Sequence, residues 1–342
     1  RWFVVTGNGV GSRRGRSIVY LFDPLTGNTV QTIRLSEDGG GITAVTAVDI
    51  DADQFADRLY AADLGGNVWR LNWNHQTDQF SVPRDVNGAP RPLFRAAHAG
   101  TGTQTGSVPQ AITSAFEAGY ATGRGGSDAS PHGLMLYFGT GKLLHDRDIP
   151  ATNPGHVDFV HSFYGLLDTD DSATINRNHL SIREIQESTF GNQSIRTVTN
   201  VSPTSGSPPP RGWVIDLPAS GERVIDPPTL AHGRIQFTTL AAPAANVDPC
   251  TDTPARFLME VDAETGSGTT EPLLDLNNDG ILDSNDLTAD HDVPAGIQLD
   301  ENHSDPVPLV LDGPGGHELS RGTINSEGDV EHTTTPIRIS RR

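Results

Sequence analysis

The chain has 342 residues, enough for one large domain or two ordinary ones. Asp and Glu number 43 against 24 Lys and Arg, a formal net charge of −19. That excess argues against a nucleic-acid partner, which needs a basic face to neutralise phosphates. It suits an exported protein or one whose acids bind cations. The single cysteine, Cys250, excludes an internal disulfide, and without a run of about twenty apolar residues no transmembrane helix is predicted.

The chain opens on RWFVVTGNGVG, already strand-like and without the charged and apolar regions of a leader. It reads as the end piece of a longer protein, cut within a domain. Short β-branched and aromatic runs then follow one another between turn signals: SIVYLFD, TVQTIRL, RLYAADLGGNVWRLNW, LMLYFGTG, FYGLLD, GWVIDLP, RIQFTTLA and RFLMEVDAETG. Helical periodicity is nearly absent, so the chain is predicted all-β. DPLTGN (Asp23 to Asn28) places Pro where φ is preset and Gly where φ can be positive, and DLGGN (Asp63 to Asn67) repeats the device.

YLFDPLTGN, YAADLGGNVWRL and MEVDAETGSG share one form: strand, Asp, a few residues, Gly, strand. Repeated four-stranded units point to a β-propeller with long loop insertions; a β-sandwich is the alternative and would be large for this length. His179 to Phe190 reads as one short helix or one extra strand. Gly119 to Gly133 and Asn200 to Gly212 read as loops. The acidic segment from Glu264 to Asp305 reads as an insertion between strands, and residues 1–342 as a single domain.

The stretch DLNNDGILDSND, from Asp275 to Asp286, crowds acids and amides onto alternate positions. A calcium loop of the EF-hand type takes oxygen ligands from positions 1, 3, 5, 7, 9 and 12, with Gly at 6 for the sharp turn. Asp275, Asn277, Asp279, the Ile281 carbonyl, Asp283 and Asp286 fill those slots and Gly280 is sixth. The last acid is Asp rather than Glu, as in the dockerin-type loops this stretch resembles. Leu282 is expected to anchor the loop to the core. A solvated acidic turn is the bland alternative.

A second candidate is DIDADQFAD, with Asp49, Asp51 and Asp53 on alternate residues and Asp57 four further on. That spacing can wrap a hard cation, although the sixth position is Gln54 and the turn must form without Gly's freedom. A strand end with acids facing solvent is the alternative; adjacent same-face carboxylates without a cation repel one another.

Other chemistry is thin. FGTGK (Phe138 to Lys142) lacks phosphate-loop spacing and reads as a tight turn with Lys142 exposed. His132, His145, His156 and His161 show no zinc pattern. No G-x-S-x-G elbow is present, and Cys250 has no sequence-near base.

AVDIDADQFADRLYAADLGGNVWRLNW, LYFGTGKLL, HSFYGLLD, GWVIDLPASGERVIDPPTLAHGRIQFTTLAAP, DPC and FLMEVDAETG occur in that order. Together they resemble the C-terminal domain of the type IV pilus tip-associated adhesin (PilY) family, from about Trp2 to Asp312; the final segment matches less well. The resemblance implies a modified, quinoprotein-like β-propeller. It implies calcium at Asp49, Asp51, Asp53 and Asp57, and at an EF-hand-like loop of Asp275, Asn277, Asp279, Ile281 and Asp283. It implies an exported protein that crosses the periplasm and outer membrane to the pilus tip. There it would contact minor pilins and host-cell or surface ligands, and act in pilus biogenesis, adhesion and twitching motility rather than as an enzyme. Calcium state in relatives is linked to pilus extension and retraction. Some relatives carry an Arg-Gly-Asp integrin motif, which this sequence lacks. A quinoprotein dehydrogenase using pyrroloquinoline quinone is the alternative, since its propeller repeats look alike; that class often places a vicinal disulfide beside the quinone, which one Cys cannot supply.

Overall fold

The structure is a computed structural model. It describes residues 2–99, 107–121, 133–144, 148, 160–169, 174–199, 210–219, 221–241, 255–272, 274, 276–277, 281–288 and 292–299, and the backbone of three strands within 308–336. Among these residues the regular structure is strand, apart from single 3-10 turns.

Four sheets follow one another along the chain. The first is an antiparallel meander of β1 (Val4–Gly7), β2 (Ser17–Phe22) and β3 (Thr29–Ser36). The second is the meander β4 (Ile42–Val48), β5 (Arg58–Asp63), β6 (Asn67–Asn74) and β7 (Gln79–Ser81), with β8 (Phe94–Arg95) also on β6. A two-stranded ribbon, β9 (Ala97–Ala99) and β10 (Ser107–Pro109), leads to the third sheet. Its strands β11 (Glu117–Tyr120), β12 (Leu134–Gly139), β13 (Ser162–Asp168), β14 (Ser181–Arg183) and β17 (Gly212–Asp216) lie in the order β11-β12-β13-β17-β14. The fourth comprises β15 (Ile185–Phe190), β16 (Gln193–Val198), β18 (Thr229–Ala231), β19 (Arg234–Leu240), β20 (Arg256–Asp262) and β21 (Gly296–Leu299), ordered β15-β16-β21-β20-β19-β18. The meander β22 (Pro308–Gly313), β23 (Gly316–Ile324) and β24 (Val330–Pro336) ends the chain.

The side-chain alternation of each strand stacks these sheets. On β5, Leu59 and Ala61 face the first sheet's Val19, Leu21 and Ile33, while Tyr60 and Ala62 face the third. On β12, Leu134, Leu136 and Phe138 pack toward the second sheet, and Met135 and Tyr137 toward Phe237 and Met259 of the fourth. A strand buried on both faces reads as a continuous apolar run, which is why LMLYFG is buried at all six positions. Successive sheets packed face to face in chain order are the blades of a β-propeller. Each fully buried Phe or Leu here contributes about 1.5–3 kcal/mol by leaving water.

Turn chemistry sets the strand ends. Asp23 accepts from the Leu25 and Thr26 N–H groups, and the Gly27 N–H returns to the Asp23 carbonyl. In the DLGGN turn, Gly66 has φ +78 and a Cβ there would stand 2.6 Å from the Ala96 carbonyl oxygen, so only Gly fits.

Two expectations need correction. His179 to Phe190 is neither one helix nor one strand. It holds β14 of the third sheet and β15 of the fourth, so the chain crosses between blades at Glu184. The segment from Glu264 to Asp305 is not wholly an excursion, because β21 returns between β16 and β20.

Buried charge fastens blade to blade. Asp168 at the end of β13 accepts from the Arg70 guanidinium at 2.6 Å and from the Tyr60 hydroxyl at 2.7 Å. Within the fourth sheet, fully buried Arg196 pairs with fully buried Glu222 and lies 3.4 Å over the Phe257 ring. Paired in this way, each charge regains much of what desolvation takes.

Candidate metal centre

The hairpin joining β4 to β5 ends in the nine residues Asp49 to Asp57. The Val48–Arg58 register closes its base, and the Asp57 N–H donates to the Val48 carbonyl. Inside the loop the carboxylates stand in for strand partners. Asp49 Oδ2 accepts from the Gln54 N–H and Asp57 Oδ2 from the Ile50 N–H, both at 2.7 Å. Ala52 and Gln54 take φ +61 and +75. Left-handed backbone costs roughly 1–2 kcal/mol per non-Gly residue, so the turn forms without Gly, with the Asp49–Gln54 bond holding it.

The outcome is convergence. Carboxylate oxygens of Asp49, Asp51 and Asp57 lie within 4.8 Å of one another. Like charges at about 4 Å repel by roughly 1 kcal/mol in water and about 4 kcal/mol near a protein surface. Asp49 Oδ1 is buried and has no hydrogen-bond partner in the structure. A buried acceptor left unsatisfied beside two more carboxylates fits a hard cation, whose preferred ligands are oxygens.

Asp53 does not join the cluster. Its carboxylate accepts from the Phe55 N–H at 2.8 Å, and its own N–H donates to Asp51 Oδ1 at 3.2 Å. Phe55 at the tip is 63% exposed.

One participant left no sequence signal. Tyr120, seventy residues on at the end of β11, directs its hydroxyl at the Ile50 carbonyl (2.6 Å) and the Asp49 carbonyl (3.0 Å). Partial burial raises its pKa above the ordinary phenol value, and the Asp49, Asp57 and Asp51 carboxylates push the same way.

Of the second loop, Asp275, Asp279 and Gly280 lie outside the described residues; Asn277, Ile281, Asp283 and Asp286 are described. Asp286 is fully buried. Its Oδ1 accepts from the Leu276 N–H at 2.8 Å and the Asn277 N–H at 3.4 Å, and its Oδ2 from the Asp283 N–H at 2.9 Å. It therefore ties both ends of the loop together. Asp283 caps the turn that follows by accepting from the Asn285 N–H at 2.7 Å. Leu274 and Leu276, packed on Ile195, anchor the loop to the fourth sheet, whereas Leu282 is half-buried and outside that cluster.

Lys142, its side chain 43% exposed, pairs with buried Asp148 at 3.2 Å. His161 is buried beside β13, and Cys250, His132, His145 and His156 lie outside the described residues.

Residues 1–200 match the family model of the PilY1 beta-propeller domain. The chain belongs to that family. Its similarity extends past the matched residues: it is 27% identical over 284 residues to a type IV pilus biogenesis factor PilY1 homolog of Xylella fastidiosa, covering 78% of this chain and 18% of that protein. It is also 27% identical over 315 residues to the type IV pilus biogenesis factor PilY1 of Pseudomonas aeruginosa strain PAK, covering 83% of this chain and 26% of the relative. The chain thus spans about a fifth to a quarter of the length of these relatives. The crystal structure of the Pseudomonas aeruginosa PilY1 C-terminal domain superposes with a TM-score of 0.69 at 21% identity, over 99% of this chain and 70% of that one. That likeness places the fold. The Asp49–Asp57 loop falls inside the stretch matched to the family model, and the Asp275–Asp286 loop falls beyond it.

Proposed function

We propose that this chain is the calcium-responsive propeller of a type IV pilus biogenesis factor, exported to the cell surface and acting at the pilus tip in assembly, adhesion and twitching motility. The relatives carry the name of biogenesis factors and not of enzymes, which favours a structural role. The observation that carries the calcium reading is the meeting of the Asp49, Asp51 and Asp57 carboxylates, with Asp49 Oδ1 buried and lacking a hydrogen-bond partner. Those three carboxylates would hold the ion, with Asp53 near enough in sequence to join on closure. In the second loop Asp275, Asn277, Asp279, the Ile281 carbonyl and Asp283 would supply ligands, and Asp286 would close the loop or add a ligand.

A bound calcium supplies positive charge and six to eight coordination positions for oxygen. The chain's own part is to gather carboxylates on a hairpin rooted in the second blade, so that filling the site stiffens the end of β4 and β5. Minor pilins and host-cell or surface ligands are the partners this role implies. The test is to place Asp51→Asn with Asp57→Asn in the full-length protein and score surface pili and twitching in a piliated strain lacking the native copy. Pili that no longer respond to calcium depletion are expected. Wild-type piliation, twitching and calcium response would defeat the proposal.

A further inference from the structure

The edge of β4 is not covered by another strand of its own sheet. It runs instead beside residues 112–120, the approach to the third blade. Three side chains bond across this seam at regular intervals. Thr43 Oγ1 donates to the Ile112 carbonyl at 2.8 Å, Thr46 Oγ1 donates to the Phe116 carbonyl at 3.3 Å, and Tyr120 reaches the Asp49 and Ile50 carbonyls. The first two run from β4 to the segment leading into β11, whereas the third falls on the first two residues of the acidic loop.

We propose that Tyr120 is a positioning residue for cation binding in the Asp49–Asp57 loop, a clasp from the neighbouring blade that fixes the direction in which the chain leaves β4. This rests on the reading of that loop as a cation site. The hydroxyl has one proton and it is shared between two adjacent carbonyls, so both peptide planes are held. The Asp49 side chain grows from the held segment. Its Oδ2 is committed to the Gln54 N–H, and its Oδ1 is buried with no hydrogen-bond partner. Without the clasp the two carbonyls lose this anchor, the Asp49–Ile50 plane keeps the Ile50 N–H bond to Asp57, and a cation must complete the ordering at the moment of binding. By linkage the relation runs both ways: a filled loop holds Tyr120, and with it the end of β11, more tightly.

The experiment is calorimetric titration of the chain with calcium, comparing wild type, Tyr120→Phe and Asp51→Asn, with melting temperatures in EDTA for each. One hydrogen bond, net of its exchange with water, corresponds to an affinity loss of about three- to tenfold. Tyr120→Phe is expected to show that loss for the site that Asp51→Asn removes, while its melting temperature in EDTA stays near wild type. A Tyr120→Phe titration superimposable on wild type, with Asp51→Asn clearly different, overturns the clasp alone. A lower melting temperature in EDTA with unchanged calcium affinity also overturns it, because it marks a merely structural tyrosine. Identical titrations for wild type and Asp51→Asn overturn the cation site and the clasp together.

Discussion

Tyr60 and Asp168 stand 108 residues apart in the chain, yet the tyrosine hydroxyl donates to the aspartate at 2.7 Å inside the seam between two blades. Burial first, then the Asp168 charge, raises the Tyr60 pKa, so the phenol stays a donor at any physiological pH. Arg70 holds the other Asp168 oxygen, and Arg58, next in sequence to Asp57, comes within 3.5 Å of Asp168. Asp168→Ala would leave the nearly buried Arg70 without this carboxylate. Breaking a buried pair in this way costs about 3–5 kcal/mol, whereas Tyr60→Phe should cost about 1–2 kcal/mol. Urea denaturation of the two variants measures both. Equal, small losses would mean that the seam is held by its apolar faces alone.

Glu260 on β20 provides a test by pH. Desolvation raises its pKa above the ordinary 4.5, and the Arg234 guanidinium at 3.4 Å opposes this only in part. A carboxyl with a raised folded pKa contributes stability that is present below its unfolded pKa and lost as pH climbs through the folded one. Glu260→Gln has no such loss. The variant's denaturation midpoint should therefore gain on wild type as pH rises from about 4 toward neutrality. A constant difference across that window contradicts the assignment.

Asp286→Ala would deprive three backbone N–H groups of their acceptor. A buried donor left alone costs about 1–3 kcal/mol, so the variant should melt lower even in EDTA. Asp279→Ala removes only a proposed ligand, and should leave the EDTA melt near wild type while lowering calcium stoichiometry by one. Calorimetry alongside melting separates the two roles. An Asp279→Ala protein with unchanged stoichiometry would remove the second site from the account.

The blades were legible because their signals are local: alternation in SIVYLF, the apolar run LMLYFG, Asp and Gly at the turns. β21 escaped notice because its partners β16 and β20 are set by pairing across the fold, and GIQL alone is too short to speak for itself. In the first acidic loop, the spacing pointed to Asp49, Asp51, Asp53 and Asp57 wrapping one cation. The left-handed turns at Ala52 and Gln54 flank Asp53, whose carboxylate closes on Phe55 instead. Asp286 matched a ligand position in sequence and serves in the structure as the loop's internal tie. Tyr120 was out of reach, since nothing in EAGY announces which blade edge it will face.

The central claim is that the gathered carboxylates are a calcium site and not a screened acidic edge. Thermal melts in millimolar calcium, equimolar magnesium and EDTA at fixed ionic strength decide it. A ligand that binds only the folded chain stabilises by about 2.7 kcal/mol when it stands a hundredfold above its Kd. Magnesium demands octahedral geometry and gives up water reluctantly, so it fits such a loop poorly. A clear rise in melting temperature is expected with calcium, a much smaller one with magnesium, and loss of the calcium effect in Asp51→Asn with Asp279→Ala. Equal shifts from calcium and magnesium would contradict it.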